Sequence, residues 1–239
     1  MEKKKQDFIF LLILMIASFI SYNILGKLSQ PDSQPSPIEI LATIILIGWY
    51  ITLYRVTSNF YSNKWIRGAY ASLLILQFTL NAYVILQVNT PISELVVPAS
   101  IAYVVNLMGF SIVFYLLLKD IFSQKHDLVY SLLGASSIYF MIPIIFAYIY
   151  CLVAVQNPSL VNADPLEIRT LLFNCIDYSW FIVAGIDYSR EKIGDIIQTI
   201  AILESISANL FIVFIIGRLM SKWIIEIAFG NMKLRYAKE

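Results

Sequence analysis

Few residues in this chain are equipped to do chemistry, and most stand in apolar surroundings. Glu204 is the only charged residue between Ile196 and Gly217. An ionisable group in such a run is costly and marks a functional position by default. A structural role, satisfying nearby polar groups, reads more readily here than ion binding. Asp177 and Asp187 belong to a second, shorter apolar stretch around Leu171–Ile186. Cys151 and Cys175 lack any C-x-x-C spacing and read as two buried thiols, a disulfide across an outer loop being the lesser alternative. His126 is the single histidine and falls in a short polar loop without neighbouring carboxylate ligands, so no metal site is expected. Neither a phosphate-binding glycine loop, nor H-E-x-x-H, nor G-x-S-x-G occurs. The residues therefore point away from an enzyme and from any cofactor.

The elements that must carry these side chains are apolar. Of 239 residues, 59% are hydrophobic and 14% charged, with a mean hydropathy of +0.75. A soluble domain is about half apolar and about a quarter charged, so the lipid bilayer is the expected solvent. Net charge is +1, which gives no reason to expect nucleic acid. A span needs roughly 20 mostly apolar residues. Six windows qualify, at about 8–26, 38–55, 68–88, 96–118, 129–154 and 196–221. The first follows Met-Glu-Lys-Lys-Lys and is expected to be an uncleaved span rather than a signal peptide.

Lysine and arginine orient the spans. With the N-terminus in the cytoplasm, 13 of the 17 basic residues fall inside, and only Lys27, Arg169, Arg190 and Lys192 fall outside. An even number of spans, with both ends cytoplasmic, follows. The segment between the fifth and sixth spans must then begin and end outside. Its apolar middle, Leu171–Ile186, is too short to cross, so it is expected to dip in and return. Such backbone is tolerated at membrane depth only where protein buries it or where it lines a water-filled cavity.

Span, outer loop, short helix, glycine-containing turn and span follow one another from 129 to 221. Asp177–Met220 reads DYSWFIVAGIDYSREKIGDIIQTIAILESISANLFIVFIIGRLM. This stretch resembles the pore half of small prokaryotic potassium-channel-like proteins. An aromatic-rich pore helix, a TVGYG-type filter and an inner helix with L-E and a final I-G-R-L make up their pattern. Ile202-Leu203-Glu204 and Ile216-Gly217-Arg218-Leu219 carry the likeness, over about 50 residues. The resemblance implies an all-α polytopic membrane protein with six transmembrane helices and a re-entrant pore helix between the fifth and sixth. It also implies a homotetramer. The parts would be a four-span scaffold at 1–128, a pore-like module at 129–222 and a short cytoplasmic tail at 223–239.

Within the resemblance, Gly185 takes the place of the first filter glycine, so Val183, Ala184, Gly185, Ile186 and Asp187 stand opposite TVGYG. Reading Ile193-Gly194-Asp195 as the filter leaves too few residues before Glu204. Val183 lacks the threonine hydroxyl, Ile186 replaces the bracing tyrosine, and Asp187 replaces a glycine whose backbone conformation is costly for other residues. Potassium selectivity is therefore not expected. Asp187 would form an acidic ring that attracts cations, or it would cap or pair with Arg190 or Lys192 in an outer loop. Glu204 would brace the pore helix through Ser179 or Tyr178. Ser205, Asn209, Phe211 and Phe214 would line the central path, and Phe211, Phe214 and Ile215 could close it as an apolar gate. Ala208 stands where a hinge glycine is common, and it makes a bend there less favourable.

The fourth span, Val96–Leu118, has no basic residue, which excludes a conventional voltage sensor. Asn81 and Asn106 are available for interhelical bonds. The loop Tyr54–Arg67 mixes aromatic and basic residues suited to the headgroup layer. Two readings result, both placed in the cell membrane. One is a channel-like protein that conducts cations weakly or without potassium selectivity. The other is a non-conducting relative that anchors a cytoplasmic partner through 54–67 or the tail. A transporter fits less well, because no inverted repeat or paired broken helices are visible.

Overall fold

The computed structural model describes residues 6–7, 9–14, 16–17, 37–61, 63–87, 91–122, 128–157, 168–186 and 195–236. Regular structure in these residues is entirely helical. The described residues from 6 to 17 form α1, followed by α2 (Pro37–Ser58), α3 (Lys64–Leu86) and α4 (Ile92–Phe122). Next come α5 (Leu128–Ala154), α6 (Ile168–Val183) and α7 (Asp195–Tyr236). Isoleucine and leucine dominate these segments, and the breaks fall at polar or proline-containing stretches. Asn63 caps α3, its side chain accepting the Trp65 N–H at 2.9 Å.

Among the described residues, three helices are long and apolar enough to cross a membrane: Ile92–Phe122, Val129–Ala154 and Asp195–Ser221. They match the fourth, fifth and sixth expected windows. By contrast α6, at 16 residues, extends only about 24 Å at ~1.5 Å per residue. A hydrocarbon layer of about 30 Å is thicker than that. Most of the Tyr54–Arg67 segment is helical rather than loop, since α2 runs to Ser58 and α3 begins at Lys64. The expected tail is also not a separate element, because α7 continues unbroken for 42 residues to Tyr236. Neither Gly nor Pro occurs between Arg218 and Phe229 to stop it.

α4 and α5 are the packed centre. α4 lies against α3 and α5, and α5 also lies against α6 and α7. One core joins Tyr103 and Ala102 of α4, Tyr150 and Cys151 of α5, Leu171 and Cys175 of α6, and Ile197 and Ala201 of α7. A second core joins Leu11, Trp49, Leu53, Phe110, Leu117, Ile138 and Met141, and α7 reaches it through Ile215. Coverage of the three long helices differs. About half of the apolar window is buried in α4 and α5 (44% and 50%), but only 22% in α7.

Polar groups stitch the middle of α4 to its neighbours. Asn81 and Asn106 form a reciprocal amide pair at 2.8 and 3.0 Å, and Asn81 also donates to the Tyr50 hydroxyl at 2.8 Å. Gln77 donates to the carbonyls of Val105 (2.9 Å) and Asn106 (3.3 Å). Gly109 permits that approach: a Cβ there would stand 1.9 Å from Gln77 Nε2. On α1, buried Asp7 accepts an ion pair from Arg55 at 2.9 Å and a hydrogen bond from Asn59 at 2.5 Å.

Candidate functional site

The site lies where α5, α6 and α7 meet. On α7 the buried residues Ile197, Ala201, Glu204, Ala208 and Ile215 recur at helical spacing and form one seam. Ala201 and Ala208 flank Glu204 by about one turn each, and small residues let helices approach closely. On α6 the buried set is Leu171, Cys175, Tyr178 and Ser179. On α5, Pro143 and Tyr150 are separated by two turns and share a face.

Glu204 is fully buried where these faces converge. The Tyr150 hydroxyl donates to its Oε2 at 2.6 Å, and its Oε1 is hydrogen-bonded to Ser179 Oγ. The Ser179 hydroxyl also lies 2.7 Å from the Pro143 carbonyl oxygen. Tyr178 stands edge-on to Tyr150, with ring centroids 5.0 Å apart. One carboxyl group thus touches both of the other helices. Ser179 was one of the two partners expected for it, and Tyr178 is present as a ring neighbour of Tyr150.

One turn after Ser179, α6 stops. Val183 is its last residue. Gly185 has φ +69°, its N–H donates to Ile182 O at 3.1 Å, and the Ile186 N–H donates to Phe181 O at 3.0 Å. This pairing is the Schellman arrangement, in which a left-handed glycine ends a helix and satisfies its last carbonyls. A Cβ at Gly185 would meet nothing within 4 Å, so the demand for glycine is conformational rather than steric. The Val183 carbonyl accepts a long hydrogen bond, 3.4 Å, from the Tyr139 hydroxyl of α5. Val183, Ala184, Gly185 and Ile186 therefore form a helix stop, with Ala184 to Ile186 exposed. Asp187, Arg190, Lys192 and His126 lie outside the described residues.

The expected lining residues divide between faces of α7. Asn209 is exposed and reaches back to half-buried Ser205, at 3.4 Å. Phe214 is exposed, whereas Phe211 packs beside Ile215 against the second core. Phe211 and Ile215 thus pack toward the bundle while Phe214, although three residues from Phe211, is left uncovered by it. Ala208 is buried in the seam. Cys151 and Cys175 are both free thiols, fully buried in the first core. Lower on α7, Arg218 donates to the Phe122 carbonyl at 2.6 Å and stacks on the Phe122 ring at 4.9 Å.

Tyr150, Pro143 and Tyr139 are the site residues that sequence reasoning missed. Nothing in the local sequence singles them out, since α5 alone carries four tyrosines. No protein-family model, curated protein or solved structure matches the chain.

Proposed function

We propose that this chain is a channel-like integral membrane protein, homotetrameric, with a cation path that lacks potassium selectivity or conducts weakly. In this reading six helices span the cell membrane, both termini are cytoplasmic, and α6 is the re-entrant pore helix. The observation that carries it is the linkage at Glu204. A helix too short to cross, α6, ends in a left-handed glycine and is pinned by a buried acid to the long apolar helix that follows it. That is the mechanical layout a pore module needs, with a short element held rigidly beside an inner helix.

The poor coverage of α7 supports assembly. Its outward face carries Ile202, Ile206, Asn209 and Val213. An exposed asparagine amid apolar residues calls for a polar partner on a neighbouring helix. Copies of α7 around an axis supply one, with Ser205 beside it, and place Phe214 further along the path.

Purified protein reconstituted in a planar bilayer tests the reading. Cation currents with little preference between potassium and sodium are expected, and Asp187→Asn should reduce them. Silence from an intact, assembled protein would sink it.

The α6 stop favours a second reading, a non-conducting relative that anchors a cytoplasmic partner. Carbonyls of Trp180, Phe181, Ile182 and Val183 are all engaged within the chain, whereas a filter must turn carbonyls toward an ion. The docking surface would be residues 54–67, with Trp65 largely exposed, or the C-terminal tail. A silent tetramer that binds a cytosolic protein, and loses it on substitution of Trp65, would favour this reading.

A further inference from the structure

The hydrogens at the α5–α6–α7 junction do not add up for an ionised acid. The oxygens that meet there are Tyr150 Oη, both carboxyl oxygens of Glu204, Ser179 Oγ and the Pro143 carbonyl. A carbonyl only accepts, and an ionised carboxylate only accepts. The Tyr150 hydrogen is committed to Glu204 Oε2. Ser179 then has one hydrogen to place between two acceptors, Pro143 O and Glu204 Oε1, and one contact would be left without a proton. A hydrogen on Glu204 closes the account. The carboxyl donates to Ser179, Ser179 donates to Pro143, and Tyr150 donates to the carboxyl carbonyl.

The charges around the site argue the same way. α5 contains no Asp, Glu, Lys, Arg or His, and offers only Tyr150 and Cys151 as titratable neighbours. α6 offers Cys175, Asp177 and Tyr178, with its one cation, Arg169, ten residues from Ser179 and so about 15 Å along the helix. α7 has no other charged residue between Asp195 and Arg218. A fully buried carboxylate with no cation beside it among the described residues is strongly disfavoured.

We propose that Glu204 is held as the neutral carboxylic acid, and that its proton is the latch joining α6 to α5 and α7 at once. Loss of the proton recruits the single Ser179 hydrogen to the carboxylate, so the Ser179–Pro143 link between α6 and α5 opens. The seat of the short helix is thereby proton-sensitive. The hydrogen count stands whether or not the chain conducts; only its consequence for a cation path rests on the function proposed above.

Infrared difference spectroscopy on the full chain in lipid, wild type against Glu204→Gln, tests the proposal. At neutral pH the wild type should show the C=O stretch of a protonated carboxylic acid, shifted in heavy water and absent from the variant. Carboxylate bands from Glu204 at neutral pH would overturn it. Thermal unfolding gives the second readout. The glutamine side chain of that variant donates through its amide and accepts through its carbonyl, as the protonated acid does, so Glu204→Gln should unfold near the wild-type temperature. Because the folded state would hold a proton that the unfolded state releases, wild-type stability should fall as pH rises. The Gln variant should lose this dependence. An equally steep pH dependence in Glu204→Gln would also overturn the latch. An acid band together with silent bilayers would remove the channel reading and leave the proton in place.

Discussion

Two of the polar clusters between helices differ in one hydrogen. The Asn81–Asn106–Gln77–Tyr50 cluster between α2, α3 and α4 closes on itself. Asn81 has two amide hydrogens and two acceptors, Tyr50 and Asn106, and Gln77 has two hydrogens and two backbone carbonyls. The Glu204 cluster between α5, α6 and α7 closes only with a proton borrowed from outside. Neutral amides make a junction that no ordinary pH alters. An acid in the same kind of setting makes a junction with two states, so the first cluster reads as scaffold and the second as a place where the chain can respond.

The largest test of that contrast is Glu204→Ala. It orphans Ser179 and Tyr150 and opens a void, and should cost about 3 kcal/mol in equilibrium unfolding. A cost equal to that of Glu204→Gln would erase the distinction. Next comes Gly109→Ala, expected to cost about 2 kcal/mol, because the new methyl displaces Gln77 from two carbonyls. Asn106→Leu should follow at about 1–2 kcal/mol, with the same cost at every pH. In a double-mutant cycle with Asn81→Leu, most of that cost should appear as coupling. Gly185→Ala should cost about 1 kcal/mol, since only backbone conformation resists it, and Gly185→Asn less. Smallest is Tyr150→Phe, at about 1 kcal/mol or below: it removes one donor yet leaves the carboxyl its Ser179 partner. Among these variants only those at Glu204 and Tyr150 should alter how unfolding depends on pH.

How much of this was legible in the sequence depends on the range of the interaction. The long apolar runs of α4, α5 and α7 stand out because about twenty apolar residues have few other uses. The shortness of α6 and a glycine-containing turn after it were visible for the same local reason, although Gly185 was expected in a filter-like turn rather than as a helix stop. Glu204 advertised itself by cost, since an acid in an apolar run demands an answer, and Ser179 was within guessing distance. Its other partner was not: Tyr150 is one of 15 tyrosines, and only the packing of α5 on α7 selects it. Which residues of α7 the bundle covers was hidden for a related reason. Phe211, Phe214 and Ile215 are close in sequence, but which side of a helix is covered depends on neighbours whose placement no local pattern gives. The unbroken run of α7 past the membrane-length window was the plainest omission, since no Gly or Pro interrupts it until Gly230.

That unbroken helix has a mechanical meaning. α7 is fastened to the bundle at Glu204 and again at Arg218, about 21 Å apart along its axis, and it runs a further ~27 Å to Tyr236. Buried Ala208 and Ile215 continue the seam between those two points, so α7 is seated along that whole stretch, and a displacement there carries Glu204 and Arg218 together.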